Sequence, residues 1–222
     1  MGAVTFVIRS VNVGRPQPRD WAAIGETAID KQPVEGPVHV DALGLAGDQV
    51  ADVKHHGGVD QAVYAFARED LDRWTEVLGE PIRDGAFGEN LTTAGYDVNA
   101  AEVGERWRVG STLLEVASVR TPCNDFKGWM GVNGYDTTAW VKRFTVEGRP
   151  GPYLRVLEEG ELRAGDEVDV VHRSGHGVTV GHMFRALMTD RSLLPDLLAV
   201  DGLVEEARTT AEKYVASRAV TG

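Results

Sequence analysis

One sulfur and two glycine-framed clusters hold most of the chemistry this chain can offer. Cys123 is the single cysteine of 222 residues. It stands in Arg120-Thr121-Pro122-Cys123-Asn124-Asp125, the polar exit of the apolar run Val116-Ala117-Ser118-Val119. A lone cysteine is most often a small buried hydrophobe, but a thiol on a loop beside a guanidinium is placed where its thiolate is stabilised. Lys54-His55-His56-Gly57-Gly58 is the second cluster. Adjacent histidines on an extended chain point to opposite sides and chelate poorly. The two glycines after them call for positive φ or close backbone approach. Gly85-Ala86-Phe87-Gly88-Glu89-Asn90-Leu91 repeats the theme, with glycines bracketing an aromatic, then a carboxylate and an amide. Neither glycine cluster is decisive by itself.

Counting narrows the chemistry further. One thiol cannot close an internal disulfide, build a cysteine-rich zinc site or ligate an iron–sulfur cluster within the chain. A net charge of −11 disfavours a nucleic-acid polymer as partner, because phosphate-backbone binding needs a basic footprint. No apolar run approaches the roughly 20 residues of a membrane span. The opening MGAVTFVIRS reads as a strand, not a secretory leader, so the expected location is the cytoplasm. Walker A, GxGxxG, GxSxG and HExxH motifs are absent from the sequence.

The elements that must position these residues are mostly strands. Val4–Val13, Pro37–Asp41, Ala62–Phe66, Arg106–Val109, Thr112–Val119, Tyr153–Leu157 and Glu167–His172 are rich in valine, leucine and aromatics, with glycine turns between them. They predict an α+β, β-dominated barrel or twisted mixed sheet rather than alternating βαβ units. Two helices interrupt them. Arg68–Leu78 aligns Leu71, Trp74 and Leu78 before Gly79, and Thr137–Val146 gathers Trp140, Val141 and Phe144 before Gly148. Ser174-Gly175-His176-Gly177 reads as a flexible link. Beyond it, a helix capped by Thr179 and running to Leu187 or Met188, a short Leu193–Ala199 helix and a Val204–Ala219 helix make a three-helix segment. The division expected is a barrel over residues 1–173 and helices over 174–222. That segment is too small for an independent core and should pack on the main body.

The set Gly36-Pro37-Val38, Gly44-Leu45-Ala46-Gly47-Asp48, His56-Gly57-Gly58-Val59-Asp60, Gly85–Leu91, Val103-Gly104-Glu105 and Arg120-Thr121-Pro122-Cys123 resembles the MOSC domain family, and most closely its YiiM branch. Tyr153-Leu154-Arg155-Val156-Leu157-Glu158-Glu159-Gly160, Ala164-Gly165-Asp166 and the closing helices fit that branch too, so the resemblance spans nearly the whole chain. Pro152 stands where the branch has an aromatic, and Glu105 where it more usually has aspartate.

The resemblance implies a MOSC-type β-barrel that binds the molybdenum cofactor (molybdopterin), with Cys123 ligating molybdenum through sulfur. It implies reduction of N-hydroxylated compounds such as hydroxylaminopurines and amidoximes by N–O cleavage. Within that frame Arg120 is the best-placed donor to the cofactor's phosphate, and Lys31, in Thr27-Ala28-Ile29-Asp30-Lys31, is a further one with Thr27 beside it. Asn90 and Asn124, with the backbone amides of Gly57 and Gly88, are candidates for the pterin edges. His56 is a candidate proton donor near neutral pH. Electrons must come from a separate flavin or iron–sulfur donor protein, since the chain carries no motif for either group. The competing reading is a sulfur carrier or cofactor-binding module that uses a Cys123 persulfide without reductase turnover. The closing helices could cover the pocket, dock the donor or form a homodimer contact, and periodicity does not choose among these.

Overall fold

The computed structural model describes residues 4–219, so the ends of both expected divisions, 1–3 and 220–222, lie outside the described residues. In chain order the strands are β1 (Thr5–Val13), β2 (Gln17–Pro18), β3 (Glu26–Thr27), β4 (Gln32–Pro33), β5 (Val38–Asp41), β6 (Gly44–Leu45), β7 (Val63–Ala67), β8 (Leu91–Ala94), β9 (Arg106–Val109), β10 (Thr112–Val119), β11 (Pro152–Glu158), β12 (Gly160–Leu162) and β13 (Glu167–His172). The helices are α1 (Arg68–Leu78), α2 (Asn124–Val132), α3 (Trp140–Glu147), α4 (Val180–Met188) and α5 (Glu205–Ala219). 3-10 segments run over Val59–Gln61 and Arg191–Ala199.

Seven strands close a mixed barrel in the order β13-β9-β10-β11-β7-β8-β1, with β1 pairing back onto β13 and β4 extending it. Neighbours run antiparallel except β7 and β8, which are parallel and joined by a connection that contains α1. Closure leaves few free edges and an interior filled by alternate residues. Ile8, Trp107, Val109, Leu114, Val116, Leu154 and Val168 fill it. The register of β10 against β11 shifts between Val116 and Ser118, just before the strand releases the Cys123 loop. Such bulges bend a strand and re-aim the chain beyond it.

The helices sit outside the barrel around an aromatic seam. Phe87 meets Phe126 of α2 at 5.0 Å between ring centroids, Trp74 of α1 at 5.7 Å and Phe66 of β7 at 5.1 Å. Trp140 and Phe144 of α3 join the same seam, and Phe184 of α4 packs on Phe144 at 6.1 Å. Offset and edge-on pairs of this kind add about 0.5–1.5 kcal/mol each beyond area burial.

Several local expectations change. Helix α3 begins at Trp140 rather than Thr137, because Ala139 turns left-handed at φ 51° just before it. Val141, which helical spacing groups with Trp140 and Phe144, faces solvent. Strand β8 follows the Gly85–Leu91 loop, where no strand was expected. The segment 174–177 is strapped down: Glu102 accepts from the amides of Gly175 (2.6 Å) and Gly177 (3.0 Å), while Ser174 and His176 reach the Val103 carbonyl. A carboxylate bonded to two amides removes the freedom that the glycines suggested. The expected second short helix is a 3-10 segment with Pro195 inside it. All three closing segments contribute buried side chains to the same hydrophobic core as the barrel.

Candidate functional site

A cavity of ≈ 660 Å³ opens between the Glu26–Lys31 stretch, the Leu43–Gln61 loops, β7, the Gly85–Asn90 loop and the Cys123 loop. Of the nine residues singled out in the sequence, eight line it: Thr27, Lys31, His56, Gly57, Gly88, Asn90, Arg120 and Cys123. Asn124 does not. It is the first residue of α2 and is exposed, while Asp125 beside it faces the cavity. In the first turn of a helix successive side chains diverge by about 100°, so neighbours cannot share a face.

Cys123 is half-buried and caps α2, its Sγ accepting from the Phe126 amide at 3.4 Å. The helix was missed in the sequence because Lys127-Gly128-Trp129-Met130-Gly131 carries two poor helix formers. Gly128 is needed there: a Cβ would meet the Trp21 ring at 2.5 Å. Burial pushes the Cys123 thiol up, but the hydrogen bond with His56, the Arg120 charge and the Phe126 amide together outweigh it and bring the thiol down to about 7. The thiolate is thereby more accessible than in an ordinary cysteine.

Arg120 is buried, with its guanidinium 4.6 Å from the Phe126 ring centroid, 5.0 Å from that of Tyr64, and donating to the Phe87 carbonyl at 2.9 Å. Among the described residues no carboxylate forms an ion pair with it. A buried cation with no carboxylate salt bridge of its own, on the wall of a cavity, favours an anionic guest.

The Gly85–Asn90 wall is built around Glu89. This fully buried carboxylate accepts from the amides of Gly85 (2.5 Å) and Phe87 (2.9 Å) and from the Thr92 hydroxyl (2.9 Å). Burial raises its pKa against those bonds. The turn presses Gly88 at φ 77° against the site, where a Cβ would lie 3.0 Å from Ile29 and 3.4 Å from an Arg120 Nη. Its amide already donates to the Gly85 carbonyl at 3.0 Å, so the glycine supplies close approach rather than a free donor. Asn90 is likewise committed, accepting from the Tyr64 amide at 3.0 Å and donating to Asp48 at 2.8 Å.

Lys31 pairs with Asp48, Nζ to Oδ2 at 2.6 Å, and burial still pulls the ammonium below the ordinary lysine range. The Thr27 hydroxyl accepts from the Ile29 amide at 3.3 Å and shapes the same stretch. Asp48 ties three pieces together, also accepting from the Gly14 amide at 2.7 Å. Sequence reasoning quoted it only as part of a motif and gave it no role. It also passed over Tyr64 and Tyr153, which face the cavity from adjacent strands with rings 5.1 Å apart and phenols pushed up by burial. Their signal was strand alternation. Among the described residues no three His, Cys, Asp or Glu side chains converge as a metal site, so a metal held by Cys123 would take its other ligands from outside the chain.

A closed mixed barrel with a cysteine-lined cavity defines the class. The MOSC domain model matches residues 52–169, and the chain belongs to this family. It is 31% identical over 91% of its length to the uncharacterized YflK of Bacillus subtilis, covering 88% of that protein. It is 30% identical over 66% of its length to Escherichia coli YiiM, covering 65% of that protein. A Gibberella moniliformis reductase is 32% identical over 75% of the chain, a stretch that is only 29% of that longer protein. The fold superposes on the crystal structure of Geobacillus stearothermophilus YiiM with TM-score 0.76 and 26% identity, covering 94% of this chain and 98% of that one.

Proposed function

We propose that this protein binds the molybdenum cofactor in the cavity and reduces N-hydroxylated compounds there, with electrons from a separate donor protein. The observation that carries the reading is the Cys123 thiol, brought down to about 7 on the wall of a ≈ 660 Å³ cavity that Arg120 also lines. The family and the branch to which its relatives belong support the same reading.

The donor set fits the group. A thiolate is a soft ligand suited to such a metal, and a buried guanidinium without a carboxylate suits a phosphate. When bound, the cofactor supplies the two-electron chemistry by which R–NHOH, two electrons and two protons become R–NH2 and water. The chain does the rest. Cys123 presents a sulfur that loses its proton more readily than an ordinary cysteine. Arg120 is held over the Phe126 ring and bonded to the Phe87 carbonyl, so it meets an anion already positioned. Lys31 reaches the cavity with its charge shared by Asp48, which makes it a weaker anion donor than Arg120. His56 lines the cavity and hydrogen-bonds the sulfur, which makes it the chain's proton-carrying group there.

The test is turnover. Protein purified from a cofactor-producing host is supplied with reduced donor and assayed on an amidoxime and on a hydroxylaminopurine. Wild type is expected to release amidine or amine, and Cys123→Ser to release none. If wild type turns over neither compound and instead carries a transferable sulfane sulfur on Cys123 by mass spectrometry, the protein is a sulfur carrier and the reductase reading fails.

A further inference from the structure

Arg155 belongs to none of the chemistry above, yet it touches three parts of the molecule. It lies on β11 two residues after the cavity-lining Tyr153. Its Nε donates to Asp60 Oδ1 at 2.9 Å, Nη1 reaches Glu115 Oε1 at 3.1 Å, and Nη2 donates to the Gly202 carbonyl at 3.1 Å. Asp60 sits in the Val59–Gln61 turn, directly after His56-Gly57-Gly58, and Gln61 lines the cavity. Gly202 joins the Arg191–Ala199 segment to α5. It adopts φ 67°, and a Cβ there would meet an Arg155 Nη at 3.3 Å, so only glycine lets this carbonyl approach unstrained.

Apart from the His56–Cys123 hydrogen bond, the loop that carries His56 is bonded mainly within itself. Gly57 and Gly58 have φ near 80°, and Gly58 has no atom within 4 Å of where a Cβ would be. Hydrogen bonds from the His56 amide to the Asp52 carbonyl and from the Gln61 amide to the Gly58 carbonyl stay within the loop. A guanidinium bonded to a carboxylate is among the stronger restraints available to such a segment.

We propose that Arg155 is a positioning residue, a clamp through which the C-terminal helical segment fixes the Asp60 turn and so keeps His56 on the cavity wall. The closing helices thereby act on the site without lining it. The inference rests on the cavity being the functional site and not on the cofactor, so it is tested on cofactor-free protein.

Residue-resolved amide exchange and the rate of Cys123 alkylation at a fixed pH of 7 are measured for wild type, Arg155→Met and Gly202→Val. Methionine keeps the apolar stem, while valine strains the carbonyl's approach and crowds the guanidinium without removing it. The expected result is exchange about tenfold faster at His56 and Gln61 in both variants, unchanged exchange in β1 and β8, and a Cys123 alkylation rate altered severalfold. Uniformly faster exchange across the barrel would mean general destabilisation and would overturn the clamp. Exchange at His56 and Gln61 equal to wild type would overturn it as well. Should Arg155→Met not fold, Asp60→Asn removes the charged partner from the other side and carries the same two outcomes.

Discussion

Two glycine-framed loops face each other across the cavity, and they are built on opposite principles. In Gly85–Asn90 every element is fixed: Glu89 bonds two amides of its own loop, Phe87 is locked into the aromatic seam, and Trp129 of α2 donates to the Ala86 carbonyl at 2.7 Å. In 51–58 the bonds are local and exposed. Asp52 accepts from the Lys54 amide and from the His55 ring, and Val53 is 80% exposed. The stiff wall holds Arg120 and, through α2, Cys123. The soft wall holds His56. In the proposed function, the groups assigned to hold the guest stand on the over-determined side, and the group assigned to carry a proton stands on the side able to adjust.

The largest expected difference between the walls is in stability. Glu89→Ala leaves two amides and a hydroxyl of the stiff loop unpaired in the interior and should cost about 3 kcal/mol or more by denaturant unfolding. Asp52→Ala on the soft wall should leave the unfolding midpoint where it was. Comparable losses in the two variants would erase the distinction.

Next come the glycines, which share a backbone conformation but not surroundings. Gly88→Ala adds contact with Ile29 and Arg120 to the strain of φ 77° and should cost about 2–3 kcal/mol, whereas Gly58→Ala, with open space around it, should cost only the backbone's about 1 kcal/mol. Paired thermal melts check this.

The smallest effect is electrostatic. In cofactor-free protein the pH profile of Cys123 alkylation should have its midpoint at about 7. His56→Ala should move it up and slow alkylation at pH 7 severalfold, while His55→Ala, whose ring faces Asp52, should leave it in place. A thiol depressed in the fold contributes stability that is present above the unfolded thiol's pKa of about 8.5 and is lost as pH falls through about 7. Stability of wild type relative to Cys123→Ala should therefore rise with pH across that window.

Much of this geometry was legible beforehand. Strands β10 and β13 and helices α1 and α4 fall where valine alternation, the Gly79 stop and the Thr179 cap place them, because each is specified by its own residues. Helix α2 was not legible, since Gly128 has its reason only in Trp21, far earlier in the chain. In the same way Asp48 could be quoted in a motif, but its bonds to Gly14, Lys31 and Asn90 exist only after closure of the barrel. Asn124 was grouped with Cys123 by adjacency, and the helix turned it away. What local spacing determines could be read, and what long-range packing permits could not.

The central claim is that Cys123 holds a molybdenum-bearing cofactor in this cavity. Elemental mass spectrometry of wild type and Cys123→Ser, both purified from the same cofactor-producing host, tests it most directly. The account predicts molybdenum co-purifying with wild type and lost from Cys123→Ser, with both proteins equally folded. Equal molybdenum in the two, or none in a wild type folded in a host that loads other molybdoenzymes, would contradict it.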